Sequence, residues 1–181
     1  MEAVKYVYED KQLCERICAE FDSWLGTPWV HLSAEPGHHK AIKGVQGDCV
    51  HVVVAAFENL RLIPSLVIPA HEAHPGTGKE SIEQPTLSKT LRELTHTNLL
   101  ERVILDRQPL ELGDVLTFRF GAREHHVGVY RGGINRSFWH SGGLNLGMKF
   151  TRSSLREHIN RNALQAAYRL LHPTHTNAGA V

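Results

Sequence analysis

The sequence predicts an α+β fold. Two observations carry this: apolar residues recur at helical spacing in the N-terminal part, and short strand-like runs bounded by glycine turns follow later. Helices first and strands afterwards is the order of an α+β chain. At 181 residues it has the length for a single domain with one sizeable core.

The elements follow in order. Leu13, Cys14, Ile17, Cys18, Phe21, Trp24 and Leu25 mark 10–25 as an amphipathic helix, with Gly26 as its C-terminal stop. Thr27-Pro28-Trp29 turns the chain, and 33–47, with Pro36, Gly37, Gly44 and Gly47, reads as loop. Residues 49–60 read two ways. Val50, Val52, Val53 and Val54 favour a strand, whereas the length, Ala55-Ala56 and the end at Asn59 favour a helix apolar on most sides, hence central and buried. A Pro- and Gly-rich excursion covers 63–85. A second helix is predicted over 87–106, with Leu87, Leu91, Leu94, Leu99 and Val103 roughly in phase. Gly113-Asp114 turns into a strand at 115–120. Residues 125–131 and 137–140 pair as a hairpin around Gly132-Gly133, with Asn135 near the turn. A further strand is predicted at 148–151, a short helix with a solvated charged face at 153–161, and a closing strand or helix at 163–171. The domain is thus expected to run over 1–172, with an insertion at about 63–106 and a flexible tail at 173–181.

Composition excludes several classes of function. The lysines and arginines are scattered and matched by acids to a net charge of +1, so there is no electrostatic footprint for nucleic acid. No apolar run approaches the length of a membrane span. The start, Met1 to Lys5, lacks the charged-then-apolar plan of a secretory signal, so the chain is expected to be cytoplasmic as made or to leave by a route needing no such signal. Three cysteines do not make a disulfide framework, and Cys14 and Cys18, four apart on the first helix, read as small buried hydrophobes. His38-His39 and His71-Glu72-Ala73-His74 raise the question of a metal. Pro69 and Pro75 bracket the second group, and it is not a His-Glu-x-x-His motif, so neither a metal nor an organic cofactor is expected.

Cys49 has a different local context. Gly47 permits a sharp entry and Asp48 is placed to cap a helix that Cys49 begins. A thiol in a helix's first turn faces unpaired N–H groups and the positive end of the dipole, which favours the thiolate. An imidazole nearby would take its proton. A regular hairpin centred at residue 133 sets His126 directly opposite His140 on one face, with His125 on the other.

Several strings together resemble the NlpC family of papain-like cysteine peptidases. They are Trp24-Leu25-Gly26-Thr27-Pro28-Trp29, Lys43-Gly44-Val45-Gln46-Gly47-Asp48-Cys49, Leu112-Gly113-Asp114-Val115-Leu116-Thr117-Phe118, His126-Val127-Gly128-Val129-Tyr130 and Phe138-Trp139-His140-Ser141. The resemblance spans about residues 20 to 142 and implies an NlpC-type fold, the cysteine at a helix N-terminus packed on an antiparallel sheet. It settles 49–60 as a helix. It implies Cys49 as nucleophile, His126 as general base and His140 as the residue orienting the imidazole. Trp29 falls where the family usually places a tyrosine lining the cleft, and Asp48 and Trp139 are expected at the substrate as well, with core packing the competing reading for Trp29 and Trp139. The implied activity is hydrolysis of amide bonds in cell-wall stem peptides, often next to D-glutamate and a diamino acid, through a thioester. The phage-encoded branch, which acts at phage tails, looks especially similar. This chain departs from the pattern at Val50-His51, where a Ser-Gly-type continuation is usual, in the long loop before Cys49, and in the 63–106 excursion. Competing readings are another thiol acyl-transfer enzyme on the same scaffold and a non-catalytic tail module.

Overall fold

The structure is a computed structural model that describes residues 5–30, 41–65, 91, 94–119, 124–141, 148–157 and 162–173. After a short 3-10 turn at Val7–Glu9, helix α1 covers Lys11–Ser23. Asp10 caps it, its side chain accepting from the Leu13 N–H at 3.0 Å. Leu13, Ile17 and Phe21, each four residues from the next, are the face it buries. Cys14 and Cys18 flank that face and are half-buried. Gly26, at φ 86°, ends the segment, and its N–H donates to the Phe150 carbonyl at 2.9 Å. Helix α2 covers Cys49–Asn59 and buries eight of its residues, from Cys49 to Phe57. Four valines in one helix run against propensity. The burial of Val50, Val52, Val53 and Val54 against the sheet supplies what the backbone preference does not.

Among the described residues six strands form one antiparallel sheet: β1 Leu100–Val103, β2 Val115–Arg119, β3 Glu124–Gly132, β4 Ser137–Ser141, β5 Phe150–Ser154 and β6 Leu164–Leu170, in the spatial order β1-β6-β2-β3-β4-β5. The strand period of two divides the core. Val115, Val127, Val129, Trp139 and Phe150 pack with α1 and α2 on one face. Leu116, Phe118, Tyr130 and Phe138 pack with Leu155 and Ala163 on the other.

Four expectations change. The helix over 87–106 gives way at Asn98, whose φ of 55° turns the chain, and Leu100–Val103 is strand β1. The physical sign is the step of five from Leu94 to Leu99, which breaks the helical phase. The helix expected at 153–161 is not there at its start, since Ser153 and Ser154 pair with Phe138 and Ser137 in β5, and the strand expected at 148–151 begins at Phe150 and runs on. The hairpin register is shifted. β3 and β4 align Gly128 with His140 and Val129 with Trp139, and a slip between Tyr130 and Gly132 moves the turn to 133–136. The open choice at 163–171 resolves as strand β6, inserted between β1 and β2. Most of 63–106, and the tail beyond 173, lies outside the described residues.

Candidate active site

Asp48 has the extended backbone of an N-cap, and its Oδ1 accepts from the His51 N–H at 2.8 Å, which starts α2 at Cys49. The approach is fixed from behind. The Gly47 N–H donates to the Pro28 carbonyl at 3.0 Å, and the Val30 N–H donates to the Gly47 carbonyl at 3.2 Å. A side chain at Gly47 would collide with Val52 of the first helical turn, which gives that glycine its role. Half-buried Trp29 bridges to Gly47 on this approach and ties it to the sheet, its N–H donating to the Met148 carbonyl at 2.7 Å.

Cys49 is 9 % exposed as a whole residue, and its thiol is buried. Burial pushes it up to about 12, the Asp48 carboxylate beside it adds to the rise, and N–H groups of Val127, Val50 and Cys49 itself pull the other way. The helix N-terminus therefore does not produce a resting thiolate, contrary to the expectation from sequence. Desolvation of the anion outweighs the N–H groups and the dipole. The hydrogen bond from Val127 locates the sulphur. It meets β3 at the residue after His126, where the pairing of β3 with β4 has just ended at Gly128 and His140.

The register shift changes how the two histidines meet. A displacement of two residues conserves the face, so His126 and His140 still lie on the same side of the sheet. They are diagonal neighbours, and His126 stands opposite Phe118. The contact is nevertheless direct, with His126 Nε2 2.9 Å from His140 Nδ1 and the rings nearly perpendicular at 86°. Gly128 makes the diagonal possible. It lies opposite His140 on that face, and a Cβ there would come within 2.7 Å of the Trp139 carbonyl oxygen and 3.3 Å of His140 Cβ. Phe138 lies against the His140 ring at 4.7 Å and Phe118 against the His126 ring at 5.9 Å. Burial lowers the His140 imidazole to about 4, with partial compensation from the Ser141 backbone, so it is neutral at neutral pH. On its far side His140 Nε2 lies 2.8 Å from Ser153 Oγ.

Two residues expected at the substrate face inward instead. Trp139 is wholly buried on the helix side of β4. It stacks on Phe21 at 5.2 Å, and its Nε1 donates to Asp22 Oδ1 at 2.8 Å. Asp48 is 2 % exposed, and both of its carboxylate oxygens lie 2.8 Å from His51 Nδ1. Strand alternation explains Trp139, since its neighbour His140 lies on the opposite face of β4, with Phe138, and Trp139 must then point to the helix side. Ser153 was missed because its segment reads as a helix. The available signal, Phe150 alternating with Arg152, contains a single apolar residue. Among the described residues no three His, Cys, Asp or Glu side chains gather where they could hold a metal ion, and His38, His39, His71 and His74 lie outside them.

No protein-family model and no curated protein matches the chain. Solved structures do. A Staphylococcus aureus protein described as similar to lipoprotein, of the NLP/P60 family, aligns with 90% of this chain at 16% identity and a TM-score of 0.52. The NlpC2 protein of Trichomonas vaginalis aligns with 88% at 17% identity and a TM-score of 0.51. The chain spans less than half the length of either, 43% and 46%. The α+β arrangement, with Cys49 opening a buried helix against an antiparallel sheet, is the papain-like fold of these NlpC-type structures.

Proposed function

We propose that this chain is a cysteine peptidase or amidase that hydrolyses amide bonds in cell-wall stem peptides through a thioester. The observation that carries the reading is the contact of His126 Nε2 with His140 Nδ1 at 2.9 Å on β3 and β4, with the Cys49 sulphur bonded by the backbone one residue from His126. Nε2 of His126 is engaged with His140, and the other ring nitrogen, Nδ1, is the one assigned to the thiol.

Because the resting thiol is protonated, the base acts during the attack. His126 takes the proton as Cys49 Sγ bonds to the amide carbonyl carbon, and the Cys49 N–H supports the oxyanion. The C–N bond then breaks, His126 gives its proton to the departing amine, and a thioester remains. Water attacks that carbonyl with His126 as base, the C–S bond breaks, and the proton returns to the thiol. His140, neutral and buried, accepts from the His126 imidazolium and fixes its ring. Half-exposed Trp29 lines the approach. No step calls for a metal.

The non-catalytic reading has its own support in the depth of Cys49. Incubation with defined stem peptides containing D-glutamate and a diamino acid, read by mass spectrometry, separates the two. The wild type is expected to cleave, and Cys49→Ala and His126→Ala to lose about a hundredfold or more. Transfer products instead of cleavage would point to an acyltransferase on this scaffold. No product of either kind across a range of stem peptides would sink the enzymatic reading.

A further inference from the structure

The pair of histidines poses a polarity problem that the two residues alone do not solve. A neutral His140 has one ring N–H and one ring lone pair. If the proton sits on Nδ1, His140 donates to His126 Nε2, which leaves the proton of a neutral His126 on Nδ1. His126 then cannot accept from the thiol. If the proton sits on Nε2, His140 Nδ1 accepts from His126 Nε2–H, and the other nitrogen of His126 carries a lone pair. Only the second arrangement leaves a base, and only it accepts the N–H of the imidazolium formed afterwards.

We propose that Ser153 is the positioning residue that selects this arrangement, its Oγ accepting from His140 Nε2–H across β4 and β5 at 2.8 Å. The proposal rests on the catalytic reading above and extends it from a pair to a line running across three strands, from His126 on β3 through His140 on β4 to Ser153 on β5. Both contacts in the line are diagonal. His140 is paired with Gly128 and Thr151, and Ser153 with Phe138. An even displacement along each strand keeps all three side chains on one face. Ser153 is half-buried, so its own O–H can be given to solvent while the oxygen accepts. Among the described residues, the groups that pair with or touch His140 include His126 and Gly128 on β3, Phe138 and the Ser141 backbone on its own strand, and Thr151 and Ser153 on β5. Among these His126 is the other titratable group, and the side-chain acceptor facing Nε2 is a hydroxyl rather than a carboxylate. A serine in this place orients the ring without lending it charge, so His140 does not become an anion-stabilised imidazolium in competition with His126.

The test has two readouts on the full chain. Long-range ¹H–¹⁵N correlation spectra report the His140 tautomer directly. Alkylation of Cys49 by iodoacetamide against pH, with the modified peptide identified by mass spectrometry, reports the base. In the wild type His140 is expected as the Nε2–H tautomer. In Ser153→Ala the loss of one neutral hydrogen bond is expected to shift the tautomer ratio about tenfold toward Nδ1–H and to slow Cys49 alkylation near neutral pH about as much. Ser153→Thr should restore both. A Ser153→Ala protein that keeps the wild-type tautomer and pH profile would overturn the assignment. A folded Ser153→Thr that fails to rescue would do the same. If wild-type Cys49 alkylates no faster than Cys14 or Cys18 and independently of His126, the catalytic reading fails, while the spectra still decide what Ser153 does to His140.

Discussion

Burial holds the His140 imidazole neutral down to about pH 4, whereas the same group in an unfolded chain titrates near 6.5. Between those values the unfolded chain binds the extra proton, so stability is complete above pH 6.5 and is lost as pH falls toward 4. The shift corresponds to about 3 kcal/mol across that window. Urea denaturation at pH 7, 5 and 4 should therefore show a loss in the wild type that His140→Gln largely lacks, and parallel losses in both would exclude this group as the cause. At this scale the residue types and their parity were legible. The face shared by His126 and His140 survives a register slip of two because the strand period is two. The thiol's protonation was not legible, because burial arises from distant parts of the chain and the Asp-Cys pair says nothing of it. Nor was Ser153, which acquires its partner only once β5 aligns with β4.

At the scale of the element, α2 begins under two opposed demands. Asp48 caps the helix, and its negative charge also raises the neighbouring thiol. Asparagine caps about as well as aspartate without the charge. Asp48→Asn is therefore expected to lower the Cys49 titration midpoint, followed by thiolate absorbance, keeping the cap while weakening the buried contact with His51. Asp48→Ala should cost about 1 kcal/mol or more through loss of the cap. An unchanged midpoint in Asp48→Asn would remove Asp48 from the causes of the raised thiol. Elements with a dense apolar pattern, α1 and β2 to β4, were legible in the sequence. β1 and β5 were not. β1 inherits a leucine spacing that resembles a helix until the step at Asn98, and β5 offers Phe150 with Thr151, Arg152 and Ser153, a pattern too polar to declare a strand without its partner.

At the scale of the molecule, one buried ion pair ties the last strand to the turn that opens β2. Arg169 on β6 donates from Nε to Asp114 Oδ1 at 3.0 Å and from Nη2 to Asp114 Oδ2 at 2.9 Å, and Nη2 also reaches the Pro109 carbonyl at 2.8 Å. Tyr8 lies against the guanidinium at 4.9 Å, which brings the N-terminal turn into the same joint. Removing one partner strands a buried charge, so Arg169→Ala is expected to cost about 3 to 5 kcal/mol in chemical denaturation, and Arg169→Met with Asp114→Leu markedly less. Equal costs would mean that the stranded charge is not the source. The fold class was legible because helices precede strands. The position of β6 was not, since no local pattern tells a closing strand which neighbours to take.

That position has a consequence for how the protein is made. Strands β2 to β5 are consecutive in both sequence and space, so the meander bearing His126, His140 and Ser153 can assemble as it leaves the ribosome. β1 emerges before all of them, yet among the described residues its ladder is with β6. It must wait through the synthesis of more than half of the sheet, with Leu100 and Val103 uncovered, until residues 164–170 arrive and slot between it and β2. The histidine face is therefore drawn up before the sheet that braces it closes.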